Sequence, residues 1–280
     1  MRHSLDIRCL WYVALAAMLT VGCATTRTTA GGKVGVEREQ TMLMSSAEVN
    51  RAAAKAYQET LREAQGKNVL NRDLRQVARV RQIAVRLIPA TAVFRSDAPS
   101  WRWEVNVISS RELNAWCMPG GKVAVYTGLI EQLQLTDDEL AAVMAHEIAH
   151  ALREHGREKA GQAAGVSAAA AIGGALLGAY FGVDAGLGQS MVGTVGDFAF
   201  MRPNSRQMEQ EADRIGVELA ARGGYDPSAA VTLWEKMGRT VSGQPPQWLS
   251  THPSHESRIA DLRVYAERVQ PLFVGARASP

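Results

Sequence analysis

The feature that most constrains this chain is the pentapeptide at residues 146–150, which reads H-E-x-x-H within a segment of helical apolar periodicity. On a helix, residues four apart share one face, so the imidazoles of His146 and His150 can bind the same metal ion. Glu147 follows the first histidine and can reach the open side of that ion. Two such histidines and a carboxylate are typical of a zinc site where the carboxylate takes a proton from a bound water.

The helix that carries this motif is well specified by the sequence. Residues 136–139 read T-D-D-E, a capping box whose acidic residues fall in the first turn, where the helix dipole favours negative charge. The sequence therefore predicts a helix that begins after Thr136 and presents both histidines on one face. The apolar residues that recur at helical spacing are Leu140, Val143, Met144, Ile148 and Leu152.

A third ligand would distinguish a metal site from an exposed helix whose two histidines bind nothing. Residues 206–222 predict a second amphipathic helix, which a Gly-Gly pair ends. Its Glu209 and Asp213 are four residues apart and share a face, so one can bind zinc while the other accepts a hydrogen bond from a ligand histidine. Glu211 points away from that pair by helical geometry, and we expect it to be in solvent.

Together these motifs resemble the zinc endopeptidase family of HtpX, BepA and the CAAX prenyl proteases. The resemblance covers roughly residues 45–270 and includes an N-A-[aromatic]…P-G-G segment before the metal helix and a T-H-P…E-S-R segment after the second helix. It implies an endopeptidase with one Zn²⁺ per chain. Besides the two helices, the residues that carry it are Asn114-Ala115-Trp116, Pro119-Gly120-Gly121, Thr127-Gly128-Leu129, Thr251-His252-Pro253 and Glu256-Ser257-Arg258.

The same resemblance assigns roles to individual side chains. Glu209 is the third zinc ligand, Asp213 supports a ligand histidine, and Glu147 is the general base. In BepA-like members the histidine that matches His252 can occupy the fourth zinc position and hold the enzyme latent, whereas the alternative is a polar surface histidine. His252 and Arg258 are the two candidates to stabilise the oxyanion, and the sequence does not choose between them.

The expected fold is α+β and mainly helical, a zincin-like metallopeptidase domain with a small β-sheet whose edge strand lies beside the metal helix. Alternation at residues 101–108 predicts one strand, and residues 122–127 predict a second, whose edge we expect beside the zinc. An exposed edge of this kind can bind an extended peptide as an added strand. Further helices are predicted at residues 46–65, 71–88, 227–239 and 254–269, with Pro89 and Pro271 ending the second and the last.

The first residues predict export. A positively charged start precedes an apolar run, residues 9–21, which is too short to span a bilayer comfortably. Residues 19–23 resemble a bacterial lipobox, which implies cleavage before Cys23 and a lipid on that cysteine. Ala24 in the next position indicates the outer membrane by the lipoprotein-sorting pattern. The alternative is an ordinary cleaved signal peptide.

The chain is predicted to divide into a signal peptide (1–22), a lipidated N-terminus and tether (23–44), the peptidase domain (45–270) and a tail (271–280). Residues 163–183 carry no charge and are rich in alanine and glycine. They fit a helical hairpin packed on the protein, a segment that dips into the membrane interface, or a span. A single span is excluded, because it would place the predicted metal ligands on opposite sides of the bilayer.

Charge and cysteine content limit the remaining classes. The formal charge is +3, and loss of the signal peptide with its two arginines and one aspartate leaves about +2, which does not indicate a nucleic-acid partner. Cys117 would be the only cysteine of the mature lipoprotein besides Cys23. It can therefore form no internal disulfide, and we interpret it as a packing residue.

These patterns predict a zinc-dependent endopeptidase, anchored by lipid to the periplasmic face of the bacterial outer membrane. The family resemblance implies unfolded or misassembled envelope proteins as substrates and the outer-membrane assembly machinery as a candidate partner. Because both ligand histidines must be neutral, we expect activity to fall below about pH 6. The alternative is a chaperone or assembly factor for outer-membrane proteins in which peptide binding matters more than cleavage.

Overall fold

The computed structural model of this chain describes residues 25–165, 204–240, 247–252 and 256–278. The predicted signal peptide, the lipidation site Cys23 and most of the uncharged run at 163–183 lie outside the described residues. None of the described helices is both long and apolar enough to cross a bilayer.

The described chain is mainly helical with small sheets, which confirms the predicted α+β class. Its helices are α1 (Ser46–Gly66), α2 (Leu74–Ala90), α3 (Thr127–Gln132), α4 (Asp137–Leu152), α5 (Arg206–Arg222), α6 (Ala229–Thr240), α7 (Gln247–Thr251) and α8 (Glu256–Ala278). Its strands are β1 (Thr25–Thr26), β2 (Gln40–Thr41), β3 (Glu104–Ile108), β4 (Ala115–Met118) and β5 (Lys122–Tyr126). Two 3₁₀ turns follow α2, at Thr91–Val93 and Ala98–Ser100.

A three-stranded sheet with the order β3-β5-β4 packs against α4 through β4. Strand β5 pairs with β3 in parallel and with β4 antiparallel, so it is the central strand. The expectation that residues 122–127 form the edge beside the metal helix is wrong, because that edge is β4. Strand β4 has only four residues, too few for an alternating pattern to be recognised in the sequence. Gly120 and Gly121, which adopt left-handed conformations between β4 and β5 (φ 79° and 78°), indicated a turn but not the strand before it.

Helix α4 begins as its sequence predicts. The backbone N–H of Glu139 donates to Oγ1 of Thr136 over 3.2 Å, and the N–H of Thr136 donates to Oε2 of Glu139 over 2.9 Å. Every residue from Glu139 to Leu152 is buried, because the helix packs on β4, on α2 and on α5 and α6. The backbone that carries both motif histidines is therefore fixed inside the core.

Helices α4 and α5 approach closely at the point where their two polar faces meet. A Cβ atom at Gly216 of α5 would lie 3.1 Å from both the Cα and the N atom of His146. Glycine at this position lets the backbone of α5 pack directly against that of α4. The carboxylates of α5 can therefore reach the histidines of α4.

The segment that precedes α1 is folded onto the domain. Val34 is 2% exposed and Gln40 is fully buried. The backbone N–H of Val34 donates to Oε2 of Glu218 on α5 over 3.0 Å. The prediction of a tether is therefore wrong for the described part of this segment, whose few apolar side chains are buried although its composition is polar. We call residues 28–42 the N-terminal strap.

The last helix is longer than predicted. We expected Pro271 to end it and residues 271–280 to form a tail, but α8 continues to Ala278. A proline removes one backbone hydrogen bond and crowds the preceding turn. Tertiary packing outweighs that cost here, because Leu272 and Phe273, which follow the proline, pack against the hydrophobic core.

Candidate metal centre

The two motif histidines meet on the inner face of α4, where their Nε2 atoms are 3.1 Å apart. Their other nitrogens contact neighbouring side chains. Nδ1 of His146 lies 2.9 Å from Oδ1 of Asp213, and Nδ1 of His150 lies 2.8 Å from Nδ1 of His155. With a proton on each Nδ1, two Nε2 lone pairs face each other across a space that suits a cation.

Glu209 and His252 bring two further ligand atoms to the same point. Oε1 of Glu209 lies 3.3 Å from Nε2 of His150, and Nδ1 of His252, just after α7, lies 3.2 Å from Nε2 of His146. Oε1 of Glu209 and Nδ1 of His252 are 3.0 Å apart. All four side chains are buried, and their ligand atoms lie within 4.8 Å of one another.

This arrangement fits a tetrahedral metal ion. Ligand bonds of about 2.0–2.1 Å place the corners of a tetrahedron about 3.3–3.4 Å apart. Four of the six separations between the ligand atoms run from 3.0 to 3.3 Å, and all lie within 4.8 Å. Three imidazoles and one carboxylate are also a donor set that suits zinc. The structure thus brings together the three predicted ligands and the histidine predicted for the fourth position.

Asp213 lies behind His146, and Arg258 holds it there. The Arg258 guanidinium donates to Oδ1 of Asp213 over 2.8 Å and lies 2.8 Å from Oε2 of Glu209. Burial lowers the pKa of His146, but the carboxylates of Asp213 and Glu209 raise it more strongly, to about 9. The pocket therefore favours positive charge on His146, whereas burial holds the pKa of His150 well below its ordinary value.

The position of Arg258 does not support the predicted role in stabilising an oxyanion. Its guanidinium lies behind the ligands, 3.6 Å from the ring centroid of Trp234, and it is 1% exposed. The described residues that line the open cleft do not include it. His252, the other candidate, directs Nδ1 at the ligand cluster. Arg258 instead orients the carboxylates of Glu209 and Asp213.

Glu211 is buried, so the expectation that it lies in solvent is wrong. Its Oε2 atom accepts hydrogen bonds from Nε and Nη2 of Arg153, over 3.0 and 2.8 Å, and lies 3.1 Å from Nε2 of His155. Burial raises the pKa of Glu211, but the hydrogen bonds from His155 and Arg38 have the larger combined effect and lower it to about 2. The prediction failed because the N-terminal strap covers this face of α5.

Glu147 lies beside the ligand cluster and is held from α7. Trp248 donates its Nε1 proton to Oε1 of Glu147 over 2.8 Å, and Nε2 of His252 is 3.4 Å from the same oxygen. The indole also stacks on the His252 ring, with centroids 4.8 Å apart. The short helix α7 and the residue after it thus supply both a potential fourth ligand and a donor to Glu147.

A cleft of about 170 Å³ opens onto this cluster. Strand β4, Glu147 and His150 all line it. Cys117 of β4 also faces the cleft. Burial and the charge of Glu147 raise the pKa of its thiol, so it remains protonated at neutral pH, in agreement with a packing role.

Two polar residues of the cleft wall were not predicted from the sequence. Nδ2 of Asn204 donates to Oε1 of Glu209 over 2.7 Å, while its Oδ1 accepts from Nζ of Lys159 over 2.7 Å. Burial lowers the pKa of Lys159 to about 8. Neither residue belongs to a motif, and no periodicity in the sequence places them near the histidines.

His155 was also missed, although a third histidine so close to H-E-x-x-H was visible in the sequence. Helix α4 ends at Leu152, and Glu154 adopts a left-handed conformation with φ 51°. This turn brings His155 back against His150. Helical spacing cannot predict such a contact, because the two histidines are separated by the end of the helix.

Comparison with known proteins agrees with this geometry. Residues 74–266 match the sequence profile of peptidase family M48. The chain is 38% identical over 183 residues to the mitochondrial metalloendopeptidase OMA1 of Danio rerio, a match that covers 63% of this chain and 37% of that protein. It is 31% identical over 250 residues to the human OMA1 metalloendopeptidase, with 86% and 46% covered.

A bacterial relative is similar to the same degree. The beta-barrel assembly-enhancing protease of Escherichia coli K12 is 32% identical over 172 residues, which cover 60% of this chain and 35% of that protein. The chain thus spans less than half the length of each of these relatives. The region that matches the family profile contains all four residues of the ligand cluster.

Proposed function

We propose that this chain, which belongs to peptidase family M48, is a zinc-dependent endopeptidase. Its metal is held by His146, His150 and Glu209. The observation that carries this proposal is the convergence of these ligand atoms with Glu147 beside them. When bound, a zinc ion lowers the pKa of a coordinated water to about 7 and polarises the scissile carbonyl.

Glu147 is the proposed general base. It lines the cleft next to the ligand cluster, where its carboxylate can accept a proton from the attacking water. The same carboxyl group then donates that proton to the leaving nitrogen of the peptide. Asp213 and Arg258 take no part in proton transfer and keep His146 and Glu209 in position.

The proposed substrates are unfolded or misassembled proteins that present an extended segment. Strand β4 lines the same cleft as Glu147 and is an edge strand of the sheet. An extended peptide can add to such an edge through main-chain hydrogen bonds, which fixes its register and demands little of its side chains. We therefore expect broad sequence tolerance and a requirement for local unfolding.

The described arrangement corresponds to a latent state in this proposal. His252 occupies the fourth ligand position, where water would enter, and Trp248 holds the Glu147 carboxylate. Both contacts come from α7 and the residue after it, so a displacement of this one segment would free the metal position and the base together.

The second candidate function is a chaperone or assembly factor for outer-membrane proteins that binds peptides without needing to cleave them. The closed arrangement of His252 and Trp248 favours it, as does the similarity to a protease named for enhancing beta-barrel assembly. Under this alternative, Glu147 would be dispensable for the cellular role.

Localisation in the cell envelope is also part of the proposal. It rests on the lipobox-like sequence before Cys23 and on Ala24 after it. Extraction of the full chain with membranes, and its release on Cys23→Ser substitution, would support a lipid anchor. Equal membrane association of both forms would contradict it.

The deciding experiment compares cleavage of unfolded casein by the wild type, Glu147→Gln and the exposed control Glu59→Gln, with zinc measured in all three. We expect equal zinc in each and cleavage by the wild type and the control only. Cleavage by Glu147→Gln at the wild-type rate would exclude the proposed base, and absence of zinc from the wild type would exclude the metal centre. Zinc without cleavage in all three would point either to the latch at His252 or to the assembly factor.

A further inference from the structure

We infer that the N-terminal strap is a working part of the metal centre, because it positions the ligand His150 through Arg38, Glu211 and His155. This inference rests on the proposed metal centre of His146, His150 and Glu209. The polar composition of this segment indicated only a passive connection, and the inference assigns it a function.

The strap is fastened to the domain at a buried point next to the site. The side-chain amide of Gln40 donates to the carbonyl of Arg153 over 2.8 Å and to Oε2 of Glu158 over 2.7 Å. Gln40 is fully buried and Arg153 is 0% exposed. Residues just beyond the end of α4 therefore depend on the strap for hydrogen bonds that water cannot replace.

From His150 a chain of contacts leads away from the ligand cluster. Nδ1 of His150 lies 2.8 Å from Nδ1 of His155, and Nε2 of His155 lies 3.1 Å from Oε2 of Glu211. If Nε2 of His150 is the ligand atom, its proton is on Nδ1. His150 then donates to His155, and His155 donates to Glu211.

Because the hydrogen bonds run from His150 to His155 to Glu211, only one arrangement of protons on the two histidines is possible. The carboxylate of Glu211 accepts the last hydrogen bond, which fixes the tautomer of His155. His155 in turn fixes the tautomer and the ring orientation of His150. Partners of this kind, one step beyond the ligands, orient metal-binding histidines and raise their basicity.

The carboxylate of Glu211 is held from two sides. Arg153 donates to its Oε2 atom from within the domain, over 3.0 and 2.8 Å. Arg38 of the strap donates to Oε2 over 3.2 Å and, through Nε, to Oε1. Arg38 also joins Glu211 to Glu158, with bonds of 2.6 and 2.9 Å. Without Arg38, the carboxylate of Glu211 would lose the partner of its Oε1 atom and could rotate toward Arg153.

The test uses the full chain with Arg38→Gln, which removes the charge of Arg38, and Arg38→Lys, which keeps it but loses the planar fork. The matched control is Arg27→Gln, because Arg27 precedes the strap, is 57% exposed and lies 3.9 and 3.7 Å from the exposed carboxylates of Glu37 and Glu39. Zinc affinity is measured by competition with a chromogenic chelator. The visible absorption of the cobalt-substituted protein reports the ligand geometry, and thermal unfolding of the metal-free protein reports the fold.

We expect Arg38→Gln to weaken zinc binding about tenfold, the lower end of the range for partners of ligand histidines, and to alter the cobalt spectrum. Arg38→Lys should lie between it and the wild type, and Arg27→Gln should match the wild type.

Wild-type affinity and cobalt spectrum in a folded Arg38→Gln would overturn the inference, even if its metal-free form melts earlier, since the strap would then be structural only. If Arg38→Gln fails to fold, Arg38→Lys takes its place in the test. A folded Arg38→Lys with the zinc affinity and the cobalt spectrum of the wild type would also overturn the inference. No zinc in the wild type would overturn the proposed function, and this inference with it.

Discussion

Trp248 donates its indole proton to Glu147 over 2.8 Å, while its ring stacks on His252. The proposed base and the proposed latch are therefore joined through a single side chain on α7. Displacement of α7 would remove His252 from the ligand cluster and the indole from Glu147 in one movement. The proposed latency is thus a property of one short helix.

Replacement of His252 by alanine tests this latch. We expect zinc to be retained, because His146, His150 and Glu209 remain, and cleavage of unfolded casein to equal or exceed that of the wild type. The measurement is the initial rate of casein cleavage together with zinc content.

A strong loss of cleavage with zinc retained would instead make His252 a participant in the reaction. Trp248→Phe gives a graded comparison, because it keeps a ring that can stack on His252 but removes the donor to Glu147. We expect its rate to lie between those of the wild type and His252→Ala.

Asp213→Asn should weaken zinc binding by roughly 10- to 100-fold, because Asp213 contacts Nδ1 of His146. It should also destabilise the protein by about 3 kcal/mol, because the buried Arg258 loses one charged partner. Chelator competition and urea unfolding measure the two effects.

The chain supplies a matched control for this change. Asp261 pairs with Arg214 over 2.8 Å and, like the Asp213–Arg258 pair, joins α5 to α8, but it is partly exposed. Asp261→Asn should cost less than about 1 kcal/mol and leave zinc affinity unchanged. If both variants lost zinc equally, the distance between α5 and α8, rather than orientation of His146, would explain the loss.

The sequence predicted the parts of the site that are encoded locally. Helix α4, its capping box and the shared face of Glu209 and Asp213 follow from periodicity and spacing within one helix. The contact of His252 with His146 spans 106 residues, and only the family resemblance indicated it.

The parts that could not be predicted depend on contacts between distant segments. Arg38 and Glu211 are 173 residues apart in the sequence, so no local pattern shows that the strap covers the rear face of α5. The burial of Glu211 and the edge position of β4 are decided by what packs on them. The composition of the strap is polar, but Arg38 and Gln40 lie against the domain because they bond to its buried groups.

Gly216→Ala tests the close approach of α4 and α5. The added methyl group would lie 3.1 Å from the backbone of His146, so the helices must separate slightly. We expect weaker zinc binding and a net loss of about 1 kcal/mol in stability, because overpacking outweighs the better helix propensity of alanine.

Gly238→Ala on α6 is the control for helix propensity. A Cβ at Gly238 meets no described atom within 4 Å. This variant should therefore be more stable than the wild type by up to about 1 kcal/mol, with unchanged zinc affinity. Stabilisation of Gly216→Ala by the same amount would show that the two helices yield to the methyl group without cost.

Lys159 should make the stability of the metal-free protein depend on pH in the alkaline range. Burial lowers its pKa from the ordinary 10.5 to about 8 in the folded state. Below pH 8 the lysine is charged in both states, and the folded state carries the full cost of burying that charge. Between pH 8 and 10.5 the unfolded chain binds more protons than the folded one, so stability rises with pH.

Lys159→Met removes that dependence. We expect it to be more stable than the wild type at pH 7 by about 2 kcal/mol, allowing for the partial exposure of the side chain, and the difference to vanish near pH 10.5. Urea unfolding of the metal-free proteins at pH 7, 9 and 10.5 measures this, with the exposed Lys55→Met as the control whose difference from the wild type stays flat. A constant gap between Lys159→Met and the wild type at all three pH values would show that the amine is not destabilised by burial. A gap that closes would show that the cleft wall carries a charge at a cost to folding, as is common where a site needs that charge for its chemistry.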